Sequence, residues 1–118
     1  MRCVEPKTLS GLLCEGLKLD KVYVKVWRLK GHEVLVAVCD PELLGKDLSE
    51  GKLKLKVSRE FYEGELLSLD EAISVIKEAT VGNFVGEKAI ECAMKAGLVH
   101  SEAIIKIAGV PHAQFVLV

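Results

Sequence analysis

Two neighbouring apolar runs constrain this fold more than any other feature of the chain. Residues 22–29 (VYVKVWRL) and 33–39 (EVLVAVC) are rich in β-branched and aromatic residues, and the short turn Lys30-Gly31-His32 separates them. This pattern predicts a β-hairpin. The second run is apolar at successive positions, which is typical of a central strand covered on both faces. Asp40-Pro41 ends that strand, because proline has no N–H for the sheet ladder.

The following segment predicts a third strand with two different faces. Leu53, Leu55 and Val57 alternate with lysines, so one face is buried while the other carries positive charge. Ser68 and Glu71 have the spacing of a capping box, which predicts a helix beginning there.

The rest of the chain predicts one more helix and two more strands. Apolar spacing favours a helix from about residue 82 to residue 96, and Gly97 is placed to end it as a left-handed C-cap. Residues 104–107 and 115–118 are strand-like and are joined by the glycine- and proline-containing loop 109–112. We therefore expect an α+β fold with about five mostly antiparallel strands and two principal helices packed on one side.

The chain length fits one domain, which we place at residues 22–118 of the 118. Residues 1–21 are predicted to be an N-terminal extension, because Gly11 and Gly16 weaken the helix that its leucines would form. Its two cysteines, Cys3 and Cys14, could pair with each other, and this alternative stays open.

The composition excludes several classes of protein. The net charge of −1 gives no general attraction to nucleic acid, so such binding would require a local basic patch. No apolar run approaches the roughly 20 residues of a membrane-spanning helix, so we expect no membrane association and a cytoplasmic location. The four cysteines form no CxxC pair, so neither a metal site nor a cofactor is expected. Cys39 and Cys92 are expected to pack in the core.

Two amides mark the segments in which we would look for a ligand site. The sequence contains one asparagine, Asn83, and one glutamine, Gln114, although it is rich in Glu and Lys. Amide depletion with excess Glu and Lys is typical of proteins from hot environments. An amide retained in that background is a candidate for a specific role, and Asn83, His112 and Gln114 are predicted to line one surface depression.

Four more residues belong to this predicted site. Gly82 and Gly86 would lie on one side of a helix and admit a ligand closely, and Asp40 or Lys46 would lie at the rim. The alternative is structural: Asn83 caps that helix, and the segment around His112 is an ordinary turn.

A second candidate site is the densest basic stretch of the chain, Lys52, Lys54, Lys56 and Arg59. Lysines two apart on a strand are roughly 7 Å from one another, a spacing comparable to that of phosphates along a nucleic-acid strand. The nearby aromatic pair, residues 61–62, could stack on bases. The alternative is that these lysines only solubilise an exposed strand or protect its edge.

Four segments together carry a resemblance to a known family. They are residues 36–46 (VAVCDPELLGK), 57–64 (VSREFYEG), 79–87 (ATVGNFVGE) and 109–114 (GVPHAQ). They resemble the small archaeal proteins grouped as the domain-of-unknown-function family DUF424, over residues 22–118. The resemblance implies an archaeal, cytoplasmic protein and adds a translation component to RNA, the partner that the basic stretch suggests. It implies no activity.

Three functions from different classes follow from the sequence. The leading interpretation is a small cytoplasmic binding module, with RNA or the translation apparatus as its partner. The second is an enzyme or small-molecule binder that uses a pocket formed by Asn83, His112 and Gln114. The third is a protein–protein adaptor that uses the Gly82 and Gly86 region or the N-terminal extension. Oligomeric state and reaction chemistry do not follow from the sequence.

Overall fold

The predicted hairpin is present in the computed structural model, which describes residues 21–117, and both of its strands lie inside the main sheet. The strands of these residues are β1 Lys21–Arg28, β2 Val34–Cys39, β3 Asp47–Glu50, β4 Leu53–Lys56, β5 Glu65–Ser68, β6 Val81–Val85, β7 Ile105–Ile107 and β8 Val110–Val116. The α-helices are α1 Arg59–Tyr62, α2 Leu69–Ile76 and α3 Glu87–Lys95.

Six strands form one sheet in the order β5-β1-β2-β6-β8-β7. Strands β2 and β6 are parallel to each other, and the other neighbouring pairs are antiparallel. Strands β3 and β4 form a separate antiparallel hairpin. The prediction of an α+β fold with mostly antiparallel strands is confirmed, although the described residues contain eight strands rather than about five.

Each face of the main sheet buries its own core. On one face, α2 and α3 pack against residues such as Val24, Val36 and Phe84, as expected for two helices on one side. On the opposite face, the β3–β4 hairpin and α1 cover Cys39 and Val85. The central position of β2 is confirmed, because its last four residues are fully buried between these two layers.

Local sequence signals set the ends of the helices as expected. Ser68 accepts a hydrogen bond from the Glu71 N–H at 3.2 Å, and the Glu71 carboxylate accepts from the Ser68 N–H at 3.1 Å, so the capping box is confirmed. Gly97, with φ of +80°, follows the end of α3, and the Leu98 N–H donates to the Ala93 carbonyl. This is the predicted left-handed C-cap.

The predicted helical start at residue 82 is wrong. Residues 81–85 form strand β6, and α3 begins only at Glu87. The reason is tertiary: β6 fills the gap between β2 and β8, where extended backbone gains hydrogen bonds and burial on both sides. Gly82 lies beneath two aromatic rings, because a Cβ there would be 2.8 Å from ring atoms of both Phe115 and Phe84.

The predicted loop over residues 109–112 is also wrong in part. The turn consists of Ala108 and Gly109, and β8 already includes Val110, Pro111 and His112. Proline is tolerated there because β6 ends at Val85, so the strand needs no N–H at position 111. The Pro111 carbonyl still accepts from the Gly86 N–H at 2.9 Å.

The N-terminal extension, with Cys3 and Cys14, lies outside the described residues except for Lys21, which begins β1. Within residues 21–117, no helix is both long and apolar enough to cross a membrane.

We predict that Gly82→Ala destabilises the protein by about 1–3 kcal/mol, the usual cost of overpacking a core. The new methyl group would collide with the Phe115 and Phe84 rings. In a Phe115→Leu background the same substitution should cost less, because the shorter side chain leaves room for it. Urea unfolding of the four proteins of this double-mutant cycle measures the coupling. If the free-energy costs of Gly82→Ala and Phe115→Leu simply add in the double variant, the packing explanation is contradicted.

Candidate functional site

The N-terminus of α3 is held by a carboxylate from a distant part of the chain. Asp40 follows β2, and its side chain accepts hydrogen bonds from the N–H groups of Ala89 at 2.9 Å and Lys88 at 3.2 Å. Asp40 is 3% exposed. A helix N-terminus attracts anions because its first N–H groups lack partners within the helix. Here the protein's own carboxylate occupies that position.

Gly86 makes this capping arrangement sterically feasible. Its φ is +107°, and a Cβ at this position would collide with the Asp40 carboxyl group, with Oδ1 only 2.6 Å away. Asp40 is therefore the residue that caps α3, and the proposed Asn83 cap is wrong, because Asn83 lies inside β6. Gly82 and Gly86 do not share a helix face and are both buried. Both glycines give room to other parts of the protein, Gly82 to the rings of Phe115 and Phe84 and Gly86 to Asp40. That they also admit a ligand stays a prediction.

Burial raises the pKa of Asp40 above its ordinary value of 3.8, and the hydrogen bonds from Ala89 and Lys88 oppose this rise. A shallow depression of about 310 Å³ lies beside the carboxylate. It is lined by Glu42, Leu43, Gly86, Glu87, Lys88 and residues 109–111 as well as Asp40. Lys46 is exposed and is not part of this lining.

Asn83 and Gln114 are directly opposite each other on neighbouring strands β6 and β8. Within residues 21–117, neither side-chain amide forms a hydrogen bond with another residue. Asn83 is half-buried and Gln114 is exposed. The structure thus brings together the two amides that the sequence singled out, and among residues 21–117 they have no hydrogen-bond partner.

His112 lies on the same sheet face, paired with Val85 two positions along β6. It is 8% exposed, and its Nδ1 is 3.1 Å from the Phe84 carbonyl oxygen. Because a carbonyl can only accept, Nδ1 carries the proton and Nε2 is an acceptor in the neutral ring. Burial lowers the pKa of His112 below 6.5, and the bond to Phe84 partly opposes this change.

One depression of about 360 Å³ joins His112 to Gln114, and its other lining residues are Ala103, Ile105 and Ala113. Asn83 does not line it, although it is next to Gln114. His112 and Gln114 therefore share one depression, and Asn83 lies beside it on β6. Asp40 lies at a different depression. That any of these residues binds a ligand stays a prediction.

The basic residues of the second candidate site lie on the β3–β4 hairpin and just after it. Lys54 and Lys56 are exposed, while Leu55 between them faces the core, as the alternation predicted. Leu53 is an exception to the buried face, because it is 49% exposed. Lys56 is opposite Asp47, and Arg59 forms a 3.5 Å ion pair with Glu63. Lys52 lies in the turn between the two strands.

The aromatic pair near this hairpin is already occupied. Phe61 stacks on Trp27 at a ring separation of 6.0 Å, and the Trp27 indole N–H donates to the Phe61 carbonyl. Tyr62 is 3% exposed and packs edge-on against Phe61. Burial of Tyr62 removes this ring as a surface on which a base could stack, and Phe61 is half-buried with Trp27 as a stacked ring partner.

The described cysteines are core residues, as expected. Burial raises the pKa of the Cys39 thiol to about 12 and that of Cys92 to about 11, so both thiols are protonated near neutral pH. Among residues 21–117, no group of three or more His, Cys, Asp and Glu side chains has the arrangement of a metal site.

The sequence interpretation did not identify the capping role of Asp40. A local search for a cap examines the residue directly before the helix, whereas Asp40 precedes Ala89 by 49 residues. The exposed apolar residues Ile105 and Val116, which flank the amides, were also not singled out. The sequence predicted that Ile105 and Val116 lie in strands. Whether these side chains are exposed depends on which part of the sheet the β3–β4 hairpin covers.

These features define a small α+β domain with a central parallel strand pair and a separate basic hairpin. The model of the family described as "Protein of unknown function (DUF424)" matches residues 27–118, so the chain belongs to this family. A solved structure, that of an uncharacterized conserved protein from Methanopyrus kandleri, is similar with a TM-score of 0.70 and 32% sequence identity. The similarity covers 80% of this chain and 90% of that one. No curated protein matches the chain significantly.

We predict that Asp40→Ala lowers the free energy of unfolding by about 0.5–2 kcal/mol, the typical cost of losing an N-cap. Asp40→Asn should cost less, because the amide oxygen can still accept a hydrogen bond. Since the folded pKa is raised, the protonated acid stabilises the fold below the unfolded pKa, and this contribution disappears as pH rises through the folded value. The free energy of unfolding of the wild type, relative to that of Asp40→Asn, should therefore decrease between about pH 3.5 and about pH 7. This range extends from just below the ordinary carboxylate pKa to neutral pH. Chemical denaturation across this range provides the measurement.

His112 gives a pH dependence of the opposite kind. Its folded pKa is lower than its unfolded pKa, so the unfolded chain binds more protons between the two values. Stability should fall as pH drops below about 6.5, and His112→Asn should reduce this fall. Urea unfolding between about pH 5 and 7 tests this expectation, with the exposed His100→Asn as the matched control. An equal pH dependence in wild type and His112→Asn would contradict the assignment.

Proposed function

We propose that this protein is a small cytoplasmic binding module that contacts the phosphate backbone of RNA through its basic hairpin. The supporting observation is the concentration of positive charge on one exposed structural unit. Residues 46–59 contain five basic and two acidic residues, for a net charge of +3. Because the whole chain carries −1, the remaining residues together carry −4.

The acidic residues of this segment neutralise little of the exposed lysine face. The Glu50 carboxylate accepts a hydrogen bond from the Ala108 N–H, outside the hairpin, at 2.7 Å. Within the described chain, Lys52, Lys54 and Lys56 form no ion pair. Their ammonium groups are therefore available to replace counterions on a phosphate backbone.

The hairpin geometry also favours a linear polyanion. Lys54 and Lys56 project from the same side of β4, at roughly 7 Å spacing, because alternate residues of a strand share a face. Leu48 and Leu55 on the inner side anchor the hairpin to Val85 and Val110. The charged face is thus supported by a rigid core, so less entropy is lost when it binds.

The rival enzymatic function has less support from the geometry. The thiol of Cys92 is protonated and lies in the core between the sheet and the helices, on the face opposite His112. Nδ1 of His112 is committed to a main-chain carbonyl. The adaptor function through Gly82 and Gly86 has little support as well, since both glycines are buried.

Binding of a labelled single-stranded RNA, measured by fluorescence anisotropy at several salt concentrations, tests the proposal. If Lys52, Lys54, Lys56 and Arg59 each contact a phosphate, the logarithm of the affinity should fall against the logarithm of salt with a slope of about −2.8. The triple variant Lys52→Ala, Lys54→Ala, Lys56→Ala should have a slope of about −0.7 and a much weaker affinity.

The control is a second triple variant with the same change in net charge, Lys30→Ala, Lys77→Ala, Lys95→Ala. These lysines are exposed and lie away from the hairpin. Counting partners within residues 21–117, only Lys95 has an ion pair, with Glu91. This control variant should retain the wild-type slope of the logarithm of affinity against the logarithm of salt concentration. Absence of RNA binding by the wild type, or equal losses in the two triple variants, would overturn the proposal.

A further inference from the structure

We propose that Asn83 and Gln114 recognise an unpaired adenine base of the RNA whose phosphates the hairpin binds. This inference rests on the proposed function and adds the group that would give it base preference. The observation that carries it is the pair of adjacent amides on the sheet face, neither of which has a hydrogen-bond partner in the described part of the chain.

The register fixes how close these amides are. At one end of the β6–β8 pair the Gly86 N–H donates to Pro111, and at the other end the Leu117 N–H donates to Thr80. Hydrogen-bonded and non-hydrogen-bonded pairs alternate along antiparallel strands. Asn83 and Gln114 are three positions from either end and therefore form a non-hydrogen-bonded pair. Such pairs have the closer side chains, with Cβ atoms about 4.5–5.5 Å apart.

Each amide provides one acceptor oxygen and two N–H donors. Neither Asn83 nor Gln114 uses these groups within the described residues. A neutral array of adjacent donors and acceptors matches the edge of a nucleobase, which is itself neutral and planar. Asparagine and glutamine form bidentate contacts with adenine, which has a donor amino group beside an acceptor ring nitrogen.

The surroundings of the amides provide an apolar surface for the flat face of a base. Val81 and Val116 are the next pair along the two strands on the same face, and Val116 is 62% exposed. Ile105, on β7, is 46% exposed and lines the depression of about 360 Å³ beside Gln114. The surface beside Gln114 therefore combines exposed aliphatic groups with amides that form no hydrogen bond within residues 21–117.

The amides and the lysines lie on the same side of the sheet. Leu48 and Leu55 of the hairpin belong to the same core cluster as Val85 and Val110, which share a sheet face with Asn83 and Gln114. Val110 and Gln114 are four residues apart on β8, about 13 Å at the rise of a strand. One short single strand can therefore have phosphates at the hairpin and a base at the amides. Unpaired bases are the usual targets of sequence-specific RNA recognition, which favours RNA over a peptide here.

Binding of oligoadenylate and oligouridylate of equal length, at one salt concentration, tests this inference. The wild type should bind oligoadenylate roughly tenfold more tightly, since one bidentate amide contact discriminates by about 1–3 kcal/mol. Asn83→Leu with Gln114→Met keeps the approximate side-chain size and removes the polar groups. This double variant should bind both oligonucleotides equally, with the salt dependence unchanged.

The single variant Gln114→Met controls for misfolding of the double variant. Gln114 is exposed, so its replacement leaves the core intact. It should lose part of the adenine preference, while Ser74→Ala, on the exposed side of α2, should retain all of it. The triple variant Lys52→Ala, Lys54→Ala, Lys56→Ala should bind both oligonucleotides more weakly, and the ratio of its two affinities should equal that of the wild type. Salt-dependent binding without any adenine preference, or a preference that survives in the double variant, would overturn the amide assignment and leave the hairpin proposal standing. If the wild type binds neither oligonucleotide, both the amide assignment and the hairpin proposal are overturned.

Discussion

The fold depends on two short apolar strands, β2 and β6, lying side by side and parallel in the middle of the sheet. Parallel neighbours require a long crossover, and here it extends from Asp40 to Thr80 and contains the β3–β4 hairpin, α1, β5 and α2. The crossover supplies cover for both sheet faces, with α2 on one and the hairpin with α1 on the other. The same crossover therefore buries the central strands β2 and β6 and places the basic β3–β4 hairpin on the surface.

Asp40 links the end of β2 to the start of α3 at a cost in desolvation. Burial disfavours its charge, yet two N–H groups of α3 offset part of that cost. Removal of the carboxylate would leave those donors without partners in a buried location, which explains how an unfavourable ionisation and a favourable cap coexist. The same interaction makes the helix N-terminus a poor anion site, because an anion would have to displace a tethered carboxylate.

Within residues 21–117, the polar groups without a partner include the lysines of the hairpin and the amides of Asn83 and Gln114, both on the face that α2 and α3 leave open. The nearby aromatic side chains are already packed against one another, with Lys25 4.6 Å above the Trp27 ring. A ligand of this face would therefore be held by charge, amides and aliphatic groups rather than by aromatic stacking.

The sequence by itself determined the elements whose signals are local. The β1–β2 hairpin, the Ser68–Glu71 capping box, the C-cap at Gly97 and the lysine–leucine alternation of β4 depend on neighbouring residues, and each is present. Tertiary structure decided the elements whose local preference is weak. Residues 81–85 have glycine and asparagine inside an apolar run, so their extended form is selected by the gap between β2 and β8. The pairing of Asn83 with Gln114, and the cap from Asp40 to Ala89, are equally non-local. Sequence spacing carries no information about contacts that exist only after the sheet has closed, and this is why the amides could be singled out but not placed.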